Sequence, residues 1–185
     1  YVKNGYYNEN LSFSGKKLFL YSIHDNPEDV IILGDGSGPV ISIAEGEDDI
    51  EISGLTIKWG DAEFGGGISV INASPTLNNL IIKDNYADYG GGIFLEGFNG
   101  ILENVVIDSN VAEQNGAGIY VLNSSPKLNM LQVLNNREKA WTYALTGGGI
   151  CLENSTPQSF NEIIFHNNQA SLNGGGLSLI GNSYV

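Results

Sequence analysis

The sequence predicts an all-β fold, a parallel β-solenoid of about seven rungs with roughly 25 residues in each rung. Three observations support this prediction. A glycine-rich string recurs at a nearly constant spacing, apolar residues alternate with other residues after each copy, and no window has a convincing helical pattern. Glycine, at 25 of 185 residues, is also too frequent for stable helices.

The glycine-rich string sets the alignment of the rungs. It reads DNYADYGGGI at 84–93, SNVAEQNGAGI at 109–119 and HNNQASLNGGGL at 166–177. A diverged rung lies near Gly38, and the others begin at Gly65, Gly90, Gly116, Gly147 and Gly174. One rung cannot bury its apolar face alone, so we expect each rung to stack in register on the next.

Two alternating strands are predicted in each rung. The strand after the glycines has one face formed by Ile68/Val70, Ile93/Leu95, Ile119/Val121, Ile150/Leu152 and Leu177/Leu179. Its opposite face carries Ser69, Phe94, Tyr120, Cys151 and Ser178. Single apolar anchors follow at Leu77, Leu102, Leu128 and Phe160. The second strand has Leu55/Ile57, Leu80/Ile82, Val105/Ile107, Leu131/Val133 and Ile163/Phe165 on one face.

Identical polar and small residues recur at the corners between strands. One rung position is occupied by Asn85, Asn110, Asn136 and Asn168. We expect these asparagines to form a structural ladder, in which each side-chain amide bonds to the copies on the rungs above and below. A second ladder of small side chains is expected at Ala62, Ala87, Ala112 and Ala170, where the chain bends tightly. The strings NASP, NSSP and NSTP at 72–75, 123–126 and 154–157 are glycosylation sequons in form, but their repetition at one corner favours structural turns.

One domain is predicted over residues 1–185, with diverged N-terminal rungs at 1–37 and repeat rungs at 38–185. The sequence stops at Val185 just after a strand, with no polar cap. An uncapped rung exposes unpaired backbone groups, so we expect the natural protein to continue beyond this segment.

Composition excludes several classes of partner. A formal net charge of −13 repels nucleic acid and anionic membrane surfaces. No apolar run reaches the roughly 20 residues of a membrane helix, so we expect no membrane insertion by this segment. Cys151 is the single cysteine, which excludes an internal disulfide but leaves the compartment open.

The repeat motifs resemble those of a known group of proteins. The strings FHNN at 165–168 with GGGL at 174–177, and IDSN at 107–110 with GAGI at 116–119, resemble the FxxN and GGA[ILV] repeats of polymorphic outer-membrane proteins. Only FHNN keeps the phenylalanine. More broadly, the chain resembles the right-handed parallel β-helix of secreted, pectate-lyase-like proteins. This resemblance implies export to the bacterial cell surface or beyond, and a role in gripping or cleaving polysaccharide or as an adhesin stalk.

One rung contains an insertion that is a candidate ligand site. The connection within NNREKAWTYALTGGG at 135–149 is five residues longer than its counterpart in the preceding rung. Insertions in a solenoid form loops on one face and often carry function. The ligand-binding candidates here are Arg137, Glu138, Lys139, Trp141 and Tyr143. A loop without a ligand is the alternative, and the sequence leaves both readings open.

A stripe of aromatic rings is the other candidate ligand site. Phe94 and Tyr120 are expected to face outward on neighbouring rungs, where sugar rings could stack on them. Rung-to-rung stacking that only reinforces the rod is the alternative, and it is favoured for Phe64 and Tyr89.

Catalytic and metal motifs are weak. No zinc motif is present, and the acidic run EGEDD at 45–49 could hold Ca²⁺ but lacks the spacing of a calcium loop, so an exposed acidic turn is favoured. Asp84 and Asp108 are one rung apart but offset by one place, which disfavours a glycosidase pair. The sequence therefore favours a non-catalytic, secreted or cell-surface segment that binds polysaccharide or serves as an adhesin stalk. A polysaccharide lyase or glycoside hydrolase is the alternative, and a purely structural spacer is a third reading.

Overall fold

A computed structural model describes residues 1–139 and 146–185, and the described chain is a coil of parallel β-strands. The strands, in chain order, are β1 Gly5–Asn8, β2 Leu11–Ser12, β3 Leu18–Tyr21, β4 Val30–Leu33, β5 Ile41–Ile43, β6 Ile50–Lys58, β7 Asp61–Phe64, β8 Ile68–Ile71, β9 Thr76–Lys83, β10 Tyr86–Tyr89, β11 Ile93–Glu96, β12 Ile101–Asp108, β13 Val111–Ala112, β14 Ile119–Leu122, β15 Lys127–Leu134, β16 Arg137–Glu138, β17 Ile150–Glu153, β18 Ser159–His166 and β19 Leu177–Ile180.

Three sheets run along the coil. Sheet I has the order β1-β4-β6-β9-β12-β15-β18, and β3 also pairs with β6. Sheet II is short, with the order β16-β13-β10-β7, and sheet III has the order β19-β17-β14-β11-β8-β5-β2. Sheets I and III each contain a path of seven strands, so the predicted number of rungs and the all-β class are confirmed.

The predicted inward residues line one continuous core between sheets I and III, except Leu179 on the last rung, which is 44% exposed. On the third repeat rung, for example, Ile93, Leu95, Leu102, Val105 and Ile107 are fully buried. Their equivalents align in register on the neighbouring rungs. Burial of apolar surface against the rungs above and below therefore stabilises each rung, as a solenoid requires.

The long strands of sheet I differ from the prediction in one respect. Each anchor residue and the second strand form a single strand that bends at a residue with positive φ, at Asn79, Asn104, Met130 and Glu162. A left-handed residue interrupts the period of two. Leu77 and Leu80, three positions apart, therefore both point into the core.

The predicted asparagine ladder is confirmed, and it lies at the corner between sheets I and II. The side-chain Nδ2 of Asn85 donates to Oδ1 of Asn110 at 3.1 Å, and the same bond joins Asn110 to Asn136 and Asn136 to Asn168 at 3.0 Å. Each of these oxygens also accepts the backbone N–H of the preceding asparagine. Each Nδ2 donates in addition to a main-chain carbonyl, for example that of Ile82.

Glycines fold sheet II back over the start of sheet III. Gly65 has a φ of 68°, and a Cβ on Gly60 would lie 1.7 Å from the carbonyl oxygen of Gly66, so the outgoing and returning backbones nearly touch. Ala87 and Ala112 are in register and fully buried in this fold. The alanine ladder is interrupted in the next rung, where Glu138 pairs with Ala112, and it resumes at Ala170, which packs on Ala112 and Ala117.

We predict that Asn110→Leu will strongly destabilise the fold. Leucine leaves the buried N–H groups of Asn85 and the carbonyl of Ile82 without partners. The free energy of unfolding, measured by urea denaturation, should fall by at least about 3 kcal/mol. Asn161→Ala is the control, because Asn161 is exposed and within residues 1–139 and 146–185 its side chain bonds only to Asn129, so it should cost less than about 1 kcal/mol. Equal losses in the two variants would contradict a special role for the ladder.

Candidate functional site

The predicted outward stripe of Phe94 and Tyr120 is not open to solvent. Phe94 is 1% exposed and Tyr120 is 5% exposed. Both residues lie on the outer face of sheet III, as their place in the strand predicts, but the expectation that their rings are available to a sugar is wrong. A ring without an exposed face cannot stack on a ligand.

Sheet II is the reason why these rings are buried. Phe64 and Tyr89, at the ends of β7 and β10, cover the outer face of sheet III where Phe94 and Tyr120 stand. The Phe64 centroid lies 4.9 Å from that of Phe94, and the Tyr89 centroid lies 5.7 Å from that of Tyr120. Phe64 and Tyr89 are themselves stacked at 5.4 Å and 14°, which confirms the predicted reinforcing pair. The four rings form a small second core, which we call the ring cluster.

Polar groups close the edges of the ring cluster. The Tyr120 hydroxyl donates to Oε2 of Glu153 at 2.6 Å, and the Tyr89 hydroxyl donates to Oε1 of Gln114 at 2.8 Å. Burial, followed by the neighbouring Glu153 carboxylate, raises the pKa of the Tyr120 phenol above its ordinary value. The same two causes raise the pKa of the buried Cys151 thiol to about 12. Both groups are therefore neutral and structural at physiological pH.

The described part of the insertion lies beside sheet II. Arg137 and Glu138 form β16, which pairs with β13, and Arg137 is exposed. The Glu138 carboxylate accepts a hydrogen bond from the Ser171 hydroxyl at 2.9 Å. Two further candidates, Trp141 and Tyr143, lie outside the described residues.

Lys139 is held by the two rungs that precede it. Its ammonium donates to Oε1 of Glu113 at 2.5 Å and to the Tyr86 hydroxyl at 2.8 Å, and it lies 4.8 Å from the centroid of the Tyr86 ring. The hydrogen bond to Glu113 raises the pKa of Lys139, and the same bond lowers the pKa of Glu113. Lys139 is therefore a member of a local ion pair on the surface of the coil.

The acidic run at 45–49 is largely committed to contacts within the protein. The buried Glu47 carboxylate accepts the backbone N–H groups of Gly15 and Ala44, at 2.6 and 2.8 Å. Asp48 accepts the N–H of Ser74, and Asp49 pairs with Lys17. Across residues 1–139 and 146–185, no group of three or more His, Cys, Asp or Glu side chains is placed to hold a metal ion.

The two aspartates considered as a glycosidase pair also have other partners. Asp108 is in register with Lys83 and not with Asp84, so the predicted offset of one place is confirmed. Asp84 forms an ion pair with Lys58 at 3.1 Å, and Asp108 accepts hydrogen bonds from Ser109 and Asn135.

A groove that the sequence analysis missed lies on the outer face of sheet I near the N-terminus. Its volume is about 350 Å³, and we call it the N-terminal groove; it is lined by Phe19, Leu20, Tyr21, Asp25, Glu51, Ser53 and Asn78. Phe19 is 69% exposed and Tyr21 is 45% exposed. The alternation in LFLY at 18–21 was an available signal, because the half-buried Leu18 and Leu20 pack against the core and place both rings on the outer face.

Polar contacts fix the wall of the N-terminal groove. The Ser53 hydroxyl donates to Oδ1 of Asp25 at 2.7 Å, and the Asn79 amide donates to the main-chain carbonyl of Asp25 at 2.6 Å. These bonds tie the loop that carries Asp25 to β6 and β9. The groove thus combines two exposed rings with carboxylate, hydroxyl and amide groups on a rigid sheet.

We predict that Phe94→Ala will act on stability. Removing a fully buried ring from the ring cluster leaves a cavity, and the free energy of unfolding should fall by about 3–5 kcal/mol. Urea denaturation followed by circular dichroism measures this loss. The matched control is Phe19→Ala, which removes an exposed ring and should change stability by less than about 1 kcal/mol. An unchanged midpoint for Phe94→Ala would mean that the ring is not packed.

Cys151 gives a second prediction, which concerns alkaline pH. The pKa of Cys151 is raised in the folded protein, so burial of the neutral thiol stabilises the fold fully below the unfolded-state pKa of 9.0. This stabilisation is lost as pH rises from 9.0 towards the folded-state pKa of about 12. Between pH of about 8 and about 10.5, wild type should lose about 2 kcal/mol more than Cys151→Ser, which cannot ionise in this range. Serine occupies the register position on the next rung, at Ser178, so the fold should accept it. Parallel losses in the two proteins would contradict the shifted thiol.

No helix in the described part of the chain is long and apolar enough to cross a membrane.

Comparisons with known proteins identify the fold family. Neither a curated protein nor a solved structure matches the sequence significantly. The family model described as a right-handed beta helix region matches residues 21–185, nearly the whole chain. With its parallel three-sheet coil and this match, the chain belongs to the right-handed β-helix family.

Proposed function

We propose that this β-helix is a non-catalytic, secreted or cell-surface segment that binds polysaccharide through the N-terminal groove. The observation that carries the proposal is the pair of exposed rings, Phe19 and Tyr21, on one face of β3 beside fixed polar groups. Alternate residues of a strand lie about 6.6 Å apart on the same face. Two rings at this spacing offer neighbouring stacking surfaces to a chain of sugar units.

The polar lining supplies the hydrogen bonds that such a ligand needs. Sugar hydroxyls donate well to carboxylates, and Asp25 and Glu51 both line the groove. Asn78 adds an amide that both donates and accepts. Because Ser53 already holds the Asp25 carboxylate in place, little side-chain entropy is lost when a ligand binds.

The charge of the groove favours one class of glycan. The side chains of the lining that are charged at neutral pH, Asp25 and Glu51, are both acidic, and the whole chain has a net charge of −13. Uronate carboxylates would be repelled by this field, whereas neutral sugars would not. The proposed ligand is therefore a neutral polysaccharide.

The proposed location and the role beyond binding are supported by the repeat motifs, which resemble those of exported β-helix proteins. A rigid rod with a glycan-binding groove suits an adhesin stalk as well as a polysaccharide-binding segment. The carboxylate pair considered for the hydrolase alternative is not supported in the described residues, since Asp84 and Asp108 are offset and have other partners.

The experiment is retention on immobilised neutral polysaccharides, after a glycan array has identified the best ligand. Phe19→Ala/Tyr21→Ala should weaken binding roughly 5- to 30-fold, because each stacked ring contributes about 0.5–1 kcal/mol. The double variant should keep the wild-type thermal midpoint within a few degrees, since both rings are exposed.

Tyr6→Ala is the matched control, because Tyr6 is 74% exposed and does not line the groove. This control should bind as wild type does. Undiminished retention of the Phe19/Tyr21 variant would discard this groove, and a wild-type protein that binds no glycan on the array would leave the structural-spacer reading.

A further inference from the structure

A second groove lies at the corner between sheets II and III, on the N-terminal side of the ring cluster. We call it the corner groove, and its volume is about 650 Å³. The residues of its lining that matter here are Asp61, Glu63, Phe64, Ser69, Ile71 and Asp88. It is separate from the N-terminal groove, with which it shares no lining residue.

The corner groove exists because two rungs have serine where the following rungs have rings. Ser42 and Ser69 are in register with Phe94 and Tyr120 on the outer face of sheet III. The corner that the ring cluster fills in later rungs is therefore open beside Ser69, and one face of Phe64 forms part of its wall.

Ser69 presents an unpaired hydroxyl to this space. The residue is 7% exposed and lines the groove, yet its Oγ has no hydrogen-bond partner among residues 1–139 and 146–185. Among the described residues, the fully enclosed hydroxyl groups without a partner are those of Ser22 and Ser159, so the Ser69 Oγ is open to the groove. A ligand group that enters the groove can therefore donate a hydrogen bond to it.

The charge of the groove is uncompensated. Asp61, Glu63 and Asp88 line it, no basic side chain does, and none of the three carboxylates has an ion pair or side-chain hydrogen bond within the described chain. Glu63 stands opposite Asp88, because the residues on either side of them pair in register. Like charges facing each other across a strand pair are destabilising, and a bound cation would remove this repulsion.

On the next rung, the equivalent acidic residue binds an ammonium group. The acidic positions continue from Glu63 and Asp88 to Glu113, and there the ammonium of Lys139 is bound. That ammonium contacts the carboxylate, the hydroxyl of Tyr86 and the face of its ring. The corner groove offers the same three kinds of group, carboxylate, hydroxyl and aromatic ring, without a lysine.

We propose that the corner groove binds a linear aliphatic polyamine. The backbone positions that carry these carboxylates are about 4.8 Å apart across the strands and about 6.6 Å apart along β7, and propylene or butylene spacers between ammonium groups match these spacings. The ammonium groups lie at Asp61, Glu63 and Asp88, and one donates to Ser69 Oγ. The methylene groups lie against Phe64 and Ile71, which a bare metal ion would leave uncovered.

The test is calorimetric titration of the folded protein with spermidine at about 0.15 M salt, where long-range attraction is screened. Wild type should bind one spermidine with a dissociation constant below about 1 mM. Butane-1,4-diamine should bind more tightly than butylamine, because a single ammonium reaches only one carboxylate. No saturable binding of spermidine, or equal affinities for the diamine and the monoamine, would overturn the proposal.

Variants locate the site. Asp61→Asn/Glu63→Gln should weaken spermidine binding at least about 10-fold. Ser69→Phe should abolish it, since it fills the corner with the ring that Phe94 places one rung later. Circular dichroism and the thermal midpoint verify that each variant is folded. Ser69→Ala, which removes the hydroxyl and leaves the space, should weaken binding by a smaller factor than Ser69→Phe.

The control is Glu28→Gln/Glu103→Gln, which removes two negative charges, as the test variant does, but at sites outside the groove. It should bind spermidine as wild type does. If the control loses as much affinity as Asp61→Asn/Glu63→Gln, the binding is general attraction to an acidic protein and the site is rejected. Unchanged binding by a folded Ser69→Phe variant rejects it as well.

Discussion

The buried asparagine ladder is the interaction on which the rest of the structure depends. Each internal member, such as Asn110, bonds through its side chain to the rungs on both sides and to a main-chain carbonyl. A shift of one residue between rungs would break all of these bonds and would turn the apolar side chains outward. The ladder therefore fixes the register of sheet I, and with it the place at which the chain leaves the core to form sheet II.

From that corner, the glycines determine which surfaces are covered. Because Gly60 and Gly66 nearly touch, sheet II lies against the outer face of sheet III and gives the coil a second, smaller layer. Where the outward residue of sheet III is large, as at Phe94 and Tyr120, that layer is packed; where it is small, as at Ser69, a groove remains. Among the described residues, no second layer covers the outer face of sheet I near the N-terminus, so the rings of Phe19 and Tyr21 stay exposed.

The repeat predicted the coil, its core and its ladder because these depend on local alternation and on register, which the sequence displays directly. It misplaced Phe94 and Tyr120 because alternation states on which side of a strand a side chain lies, and not whether another layer covers that side. The bends at Asn79 and Met130 were not predicted for a related reason, since the apolar pattern does not indicate which residue of a strand has a left-handed conformation. The unpaired hydroxyl of Ser69 arises because no polar side chain lies beside it in the fold, and the order of residues along the chain does not display such a gap.

The outward column of sheet III, which runs from Ser42 and Ser69 to Phe94 and Tyr120, has a consequence for how such proteins diverge. The strands pair in register at each of these places, so the residue at this one position decides whether the space beside sheet III is filled by a ring or left as a groove. Duplication of a rung copies the backbone together with its cavity, and one later substitution closes either copy. A groove can in this way change its position along the coil in steps of one rung during evolution, while the scaffold stays unchanged.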